Sequence, residues 1–318
     1  MSNSLYISAI DSHSGKSVVT LGVMEFLIRN LDKVAFFRPI ISTQSAPDDK
    51  DSVIELISEH YNLEVPYERM YAYTQEEARA LVAVGKHEEL LDGILEGYKS
   101  LESNCNFVLC LGTDFEGESS AFEFEINAEI ANNLGCPVLV VINAYDKELP
   151  EMTESCQFAL ESFEEKNCNV LSFILNRVTT KLPPDFQTTL KARLRRKIDL
   201  IYHIPNERTL GSLTLQEIAT KLDLKTISGE NQLNRPVSKF VVAAMHLENV
   251  LTRMTESSLI ITPYDRLDII LGSLAAFKSQ NFPNVAGLII TGDSELYEIL
   301  NSLLDGMTDI FPILKSDQ

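Results

Sequence analysis

Apolar residues along this chain fall into short, nearly continuous runs, separated by segments whose apolar positions recur at helical spacing. Residues 5–10, 34–37, 107–111, 137–143, 169–176 and 200–205 are such runs. Residues 15–30, 53–60, 87–102 and 127–134 carry the helical spacing. Continuous apolar strands alternating with helices predict a parallel sheet covered on both faces. Ligands in such sheets bind beyond the carboxyl ends of the strands. Arg38, Gly112, Asn143 and Asn176 stand at those ends. After Pro205 the pattern starts again. A helix is predicted over 215–222 with Thr214 as its N-cap. Strands are predicted over 241–245, 258–262 and 286–291, and helices over 267–278 and 294–304. With no low-complexity linker in view, two packed α/β domains are expected, residues 1–208 and a smaller one at 209–318.

The chain has 318 residues, 45% of them hydrophobic, enough for a sizeable core. Its formal net charge of −19 argues against nucleic acid or an anionic membrane as the main partner, because both need a basic face. The basic stretch Lys191, Arg193, Arg195, Arg196 and Lys197 therefore reads as a solvated helix surface or a contact with an acidic subunit. No signal peptide and no bilayer-length apolar run is visible, so a cytoplasmic protein is expected. The five cysteines lack C-x-x-C spacing and read as reduced thiols, mostly in the core. The five scattered histidines suggest no metal cluster.

The chemistry concentrates at Ser12-His13-Ser14-Gly15-Lys16-Ser17, between the first strand and the first helix. Backbone N–H groups at a helix start face an anion, the Lys adds positive charge, and the Ser hydroxyl can ligate Mg²⁺. The usual loop opens with a Gly, where this chain has Ala9 and Ile10. The alternative is a loop that keeps only the fold. For Lys16 that alternative is a solvated lysine where the helix dipole disfavours a cation.

Further pieces follow in order: Phe37-Arg38-Pro39-Ile40, residues 106–112, Leu175-Asn176-Arg177-Val178, His203-Ile204-Pro205, and residues 261–268 beginning Ile261-Thr262-Pro263-Tyr264-Asp265-Arg266. With the loop, residues 1 to about 205 resemble the dethiobiotin-synthetase-like branch of P-loop proteins, and the second half resembles the DRTGG domain. In tandem they resemble the N-terminal regulatory region of long-form phosphate acetyltransferases. The fold implied is a P-loop parallel sheet with helices on both faces, followed by a DRTGG-like α/β domain.

The resemblance implies a nucleotide site, ATP or ADP with Mg²⁺, held by Ser14, Gly15, Lys16, Ser17, Arg38 and Asn176. Ser17 and Asp51 would face the metal. Arg38 stands where the synthetases carry Lys; it can hold a carboxylate or phosphate, or form an ordinary salt bridge. Asp51 can equally cap the helix at 53–60, as could Asp48 or Asp49. Asn176 can read an adenine edge or close a turn. Active synthetases have acids at the start and end of the strand at 107–111, where this chain has Asn106 and Leu111. Asp114 and Glu116 could substitute only if the loop folds back. Glu116, Glu118, Glu123, Glu125 and Glu129 read as a solvated helix face and loop. In the second domain Asp265 can cap the helix near Leu267, with Arg266 pairing nearby, and Thr291-Gly292-Asp293 could line the same cleft.

The expectation is a regulatory and oligomerisation module that senses a nucleotide or anionic metabolite. Its partners would be a C-terminal acetyltransferase domain, on the same or a separate chain, and further copies of itself. The chain alone is expected to be inactive in acetyl transfer. The rivals are an ATP-dependent ligase like dethiobiotin synthetase and an assembly scaffold that binds no ligand.

Overall fold

The computed structural model describes residues 3–11, 14–42, 50–113, 120–194, 198, 200–207, 209–292, 304, 306–307 and 310–316. The chain forms two compact units, Met1–Asn206 and Glu207–Gln318.

The first unit runs β1 (Ser4–Ala9), α1 (Lys16–Asn30), β2 (Val34–Phe37), β3 (Ile40–Ile41), α2 (Ser52–Tyr61), β4 (Tyr73–Thr74), α3 (Gln75–Ala83), α4 (His87–Glu102), β5 (Phe107–Leu111), α5 (Ser120–Asn133), β6 (Val138–Asn143), α6 (Leu149–Glu165), β7 (Val170–Val178), α7 (Phe186–Arg193) and β8 (Leu200–Pro205). Six strands form a sheet in the order β2-β5-β1-β6-β7-β8, and every pairing in it is parallel. β3 and β4 make a separate two-stranded pair.

Alternate residues of each strand enter different cores, the period-2 pattern of a sheet buried on both faces. Tyr6, Val108, Cys110, Val138 and Val140 pack with α4, α5 and α6. Leu5, Ile7, Leu109, Leu111 and Val141 pack with α1 and α2. β1 is hydrogen-bonded to β5 on one side and β6 on the other. The chain thus leaves β1 towards one edge and later returns past it to the other. The carboxyl end of β1 is therefore the switch point of the sheet, the place where ligands bind in open parallel sheets.

The second unit runs α8 (Leu215–Lys221), β9 (Lys225–Ser228), β10 (Lys239–Val242), α9 (Leu247–Leu251), β11 (Ser258–Pro263), α10 (Leu267–Lys278), β12 (Gly287–Thr291) and β13 (Ile313–Ser316). Its sheet has the order β10-β11-β12-β13-β9, parallel except for the β13–β9 pairing. α9 and α10 cover one face through Val250, Ile269, Ile270 and Leu274. α8 covers part of the other through Leu215, Ile218 and Ala219. Thr214 caps α8 in a reciprocal capping box with Glu217.

Several predicted elements shift. The strand expected over 241–245 is Lys239–Val242, because the chain turns into α9 with His246 as N-cap. The helix expected over 127–134 begins at Ser120, its first turns hidden in the sequence by Glu123 and Glu125. β9 and β13 complete the second sheet where no strand was expected. The helix expected over 294–304 lies almost wholly outside the described residues. No helix among the described residues is long and apolar enough to cross a membrane.

Candidate functional site

Gly15 immediately precedes α1 with φ 77°, in the left-handed region. A Cβ there would lie 2.4 Å from Nδ2 of Asn176, so both the turn and the close approach require glycine. The Gly15 carbonyl accepts from the N–H groups of Val18 and Val19. Asn176, near the end of β7 and 6% exposed, donates from Nδ2 to the Ser14 carbonyl at 2.8 Å. Residues 162 apart in sequence thereby lock the loop. Next to Asn176, Arg177 also takes a positive φ of 63°, and its guanidinium lies 4.8 Å from the centre of the Tyr145 ring. Ser12 and His13 lie outside the described residues.

Lys16 opens α1 and is only 3% exposed, which overturns the solvated alternative. A cation placed at a positive helix terminus needs partners. Nζ donates to the Thr113 carbonyl and to Oε1 of Glu123, both at 3.2 Å. The reading of Glu123 as part of a solvated face is therefore corrected: the fold carries α5 over β1 and turns this carboxylate inward, 14% exposed. Glu129 also departs from that reading, meeting His87 and Lys166, whereas Glu125 meets Lys166 from an exposed position. Asp114, Glu116 and Glu118 lie outside the described residues.

The amide of Asn127 ties this corner together. Oδ1 accepts from the Tyr6 hydroxyl and the Thr113 N–H, each at 2.9 Å. Nδ2 donates to the carbonyls of Thr113 at 2.9 Å and Glu123 at 2.8 Å. All four valences of a fully buried amide are used, the arrangement that burial demands. Gly112 leaves room for it, since a Cβ there would lie 2.6 Å from Oδ1. Burial, and then the neighbouring Cys110 and Cys136 thiols, push the Tyr6 phenol well above its ordinary range, so it stays a neutral donor. Leu111 is fully buried in the core beside this knot.

Arg38 and Asp51 form a second buried pair, with Nη1 2.5 Å from Oδ2 and side chains 6% and 2% exposed. Asp51 also caps α2: Oδ1 accepts from the N–H groups of Val53 and Ile54 at 3.1 Å. Its own N–H donates to the Tyr67 hydroxyl at 2.6 Å. Both carboxylate oxygens are thus engaged, one by a cation, which does not fit the Mg²⁺ role expected for Asp51. Asp48 and Asp49 lie outside the described residues. Ser17 is half-buried in the first turn of α1. Among the described residues no cluster of His, Cys, Asp or Glu could hold a metal ion by itself.

In the second unit Asp265 does not cap α10; Arg266 stands at the N-cap position without a side-chain bond. Arg266 instead grips Asp268 through two 2.8 Å hydrogen bonds and donates to the Met245 carbonyl at 2.9 Å. Asp293 lies outside the described residues. The thiols are free; Cys105 is half-buried and the other four are buried.

A family model described as an AAA domain, AAA_26, matches residues 3–227. The chain belongs to this AAA domain family. A DRTGG domain model matches residues 217–318. A phosphate acetyltransferase of Nitratidesulfovibrio vulgaris is 43% identical over 99% of this chain and 45% of its own length. One from Synechocystis is 36% identical over 99% of this chain and 45% of its own length. The chain therefore spans about 45% of the length of these curated relatives, and the resemblance to part of the phosphate acetyltransferases stands. A septum site-determining protein MinD from Pyrococcus horikoshii, solved with Mg-ADP, aligns at a TM-score of 0.39 and 15% identity, covering 65% of this chain and 82% of that one. A likeness at that score carries no argument.

Gly15, Lys16 and the end of β7 were legible before folding. Glu123, Asn127, Thr113 and Tyr6 were not. The only local signal for them is Gly112-Thr113 at the end of an apolar strand.

Proposed function

We propose that this chain is a regulatory module acting with a phosphate acetyltransferase catalytic region, binding a nucleotide or small anionic metabolite and holding copies of the chain together. The observation that carries it is Lys16, buried at the start of α1 on a loop turned by left-handed Gly15 and clamped by Asn176. A helix start with backbone donors and a buried ammonium suits oligophosphates. In this reading Ser14, Gly15, Lys16 and Ser17 hold the phosphates of ATP or ADP, and Asn176 shapes the loop. Arg38 shapes the neighbouring strand end. Mg²⁺, if carried in with the nucleotide, would face Ser17 and supply charge neutralisation; Asp51 is withdrawn from that role.

Binding without turnover is the expected behaviour. Where a ligase would need a metal-positioning acid at the end of β5, Leu111 lies buried in the core. The scaffold reading draws on a separate observation, that Glu123 already meets the Lys16 ammonium inside the protein. Regulation requires the effector to bind two conformations with different affinity.

Calorimetric titration of Mg-ATP and Mg-ADP into the wild type and Lys16→Ala tests the reading. The expected result is binding to the wild type, loss in Lys16→Ala, and no hydrolysis. Absence of binding at millimolar nucleotide would leave the scaffold. Turnover dependent on Lys16 would restore the ligase.

A further inference from the structure

Lys16 is the one motif residue whose charge would meet a phosphate directly in the proposed reading, and it carries a carboxylate partner of its own. Glu123 Oε1 lies 3.2 Å from Nζ, with side chains 14% and 4% exposed. The contact is not a chance meeting of two long surface chains. The main chain of Glu123 is fixed by Asn127, whose Nδ2 donates to the Glu123 carbonyl at 2.8 Å and to the Thr113 carbonyl at 2.9 Å. The Thr113 carbonyl in turn is the second acceptor for Lys16 at 3.2 Å. Asn127 itself is anchored to β1 through the Tyr6 hydroxyl. One buried amide thus places two acceptors of the ammonium, on a helix whose register leaves Glu123 one turn before Asn127.

We propose that Glu123 is a specificity-determining residue of the loop: a built-in counterion that any bound anion must displace from, or share with, Lys16. This rests on the oligophosphate reading above and deepens it. A carboxylate in a partly dehydrated site repels an incoming anion, and it offsets the charge that would attract one. A monoanion gains too little from Lys16 to overcome that contact. A di- or triphosphate brings more charge and reaches the N–H groups at the start of α1 as well. The site therefore selects polyanions over singly charged metabolites, and its affinity is set below that of the same loop without the Glu123 carboxylate. Glu123 acts here on binding and not on chemistry.

The test is calorimetric titration of pyrophosphate, Mg-ATP and acetate into the full chain as wild type, Glu123→Gln, Glu123→Ala, Lys16→Ala and the Lys16→Ala/Glu123→Gln double variant. Thermal unfolding of each variant confirms the fold. Glu123→Gln keeps a hydrogen-bond acceptor and removes only the charge, and Glu123→Ala covers the case in which one of the two does not fold. The expected result is at least tenfold tighter pyrophosphate and Mg-ATP binding in both Glu123 variants. Acetate should gain a measurable affinity, and the gain should vanish in the double variant. If the wild type and Glu123→Gln bind pyrophosphate within twofold of each other, the counterion proposal is overturned while the oligophosphate reading stands. If neither binds at millimolar pyrophosphate or Mg-ATP, both are overturned. Binding that appears only when Glu123 is replaced supports the counterion proposal and leaves the wild-type chain to the scaffold reading.

Discussion

The two sheets of this protein are built from the same parts and end differently at their carboxyl edges. In the first, β1 lies between β5 and β6, so the strand order reverses beside it. The connections leave in opposite directions, and the gap is filled by a left-handed glycine, a buried lysine and two side-chain amides. In the second, β10, β11, β12 and β13 follow one another in a single direction, with α9 and α10 on one face. Among the described strands from β10 to β13 the order does not reverse. The charged group at the end of β11, Arg266, is tied to Asp268 two residues on, at an exposed position. The difference teaches that a strand-end motif becomes a site only where topology separates the flanking connections. The same residue types on an unreversed sheet settle into local pairs.

That contrast can be broken experimentally. The largest effect is expected from Arg38→Met. Removing one partner of a buried ion pair leaves Asp51 uncompensated, at a cost of about 3–5 kcal/mol. Urea denaturation of the full chain should show it, and Arg38→Met/Asp51→Asn should recover a large part. A loss under about 1 kcal/mol in the single variant would mean that the pair is solvated.

Gly15→Ala and Gly292→Ala come next. Both glycines have positive φ, 77° and 115°, and an added Cβ would press on Asn176 Nδ2 in the first and Tyr264 Cδ1 in the second. Each should lose about 1–3 kcal/mol from strain alone. Only Gly15→Ala should abolish Mg-ATP binding, because only that glycine shapes the proposed phosphate loop. Equal losses of binding in the two variants would dissolve the distinction between the sheets.

The smallest effect concerns the capping box of the second unit. Thr214→Ala should cost about 1 kcal/mol. Hydrogen bonds from the Thr214 backbone N–H and hydroxyl hold the Glu217 carboxyl below its ordinary value of 4.5. A group whose folded pKa is depressed stabilises the fold fully above the unfolded value and loses that contribution as pH falls through the folded value. The difference between wild type and Thr214→Ala should therefore be constant above about pH 5.5, one unit over the unfolded value, and shrink below 4.5. A difference that grew on acidification would show that the cap does not act through the carboxylate.

Much of the frame was readable along the chain. The apolar runs at 34–37, 107–111 and 200–205 coincide with β2, β5 and β8, and the helical spacing at 87–102 coincides with α4. Thr214 three residues before Glu217 announces a capped helix, and Gly-Lys-Ser after β1 announces the loop. These signals are local: periodicity, caps and turns act over a few residues and need no knowledge of the fold. Asp51 shows where locality stops. Its place before α2 was readable as a cap, but its engagement with Arg38 depends on the start of α2 being packed against the end of β2. Glu123 shows it further, since in sequence it is one acid among several and Lys16 lies 107 residues away. Which carboxylate neutralises that lysine was decided by the reversal of strand order, which brings β5 and the start of α5 against β1 and α1. Sequence alone determined most strands of the first sheet, several of the helices and the presence of a phosphate-loop motif. Only the tertiary structure decided what the lysine touches, because the desolvation that makes a buried ammonium require a counterion exists only once the two are packed together.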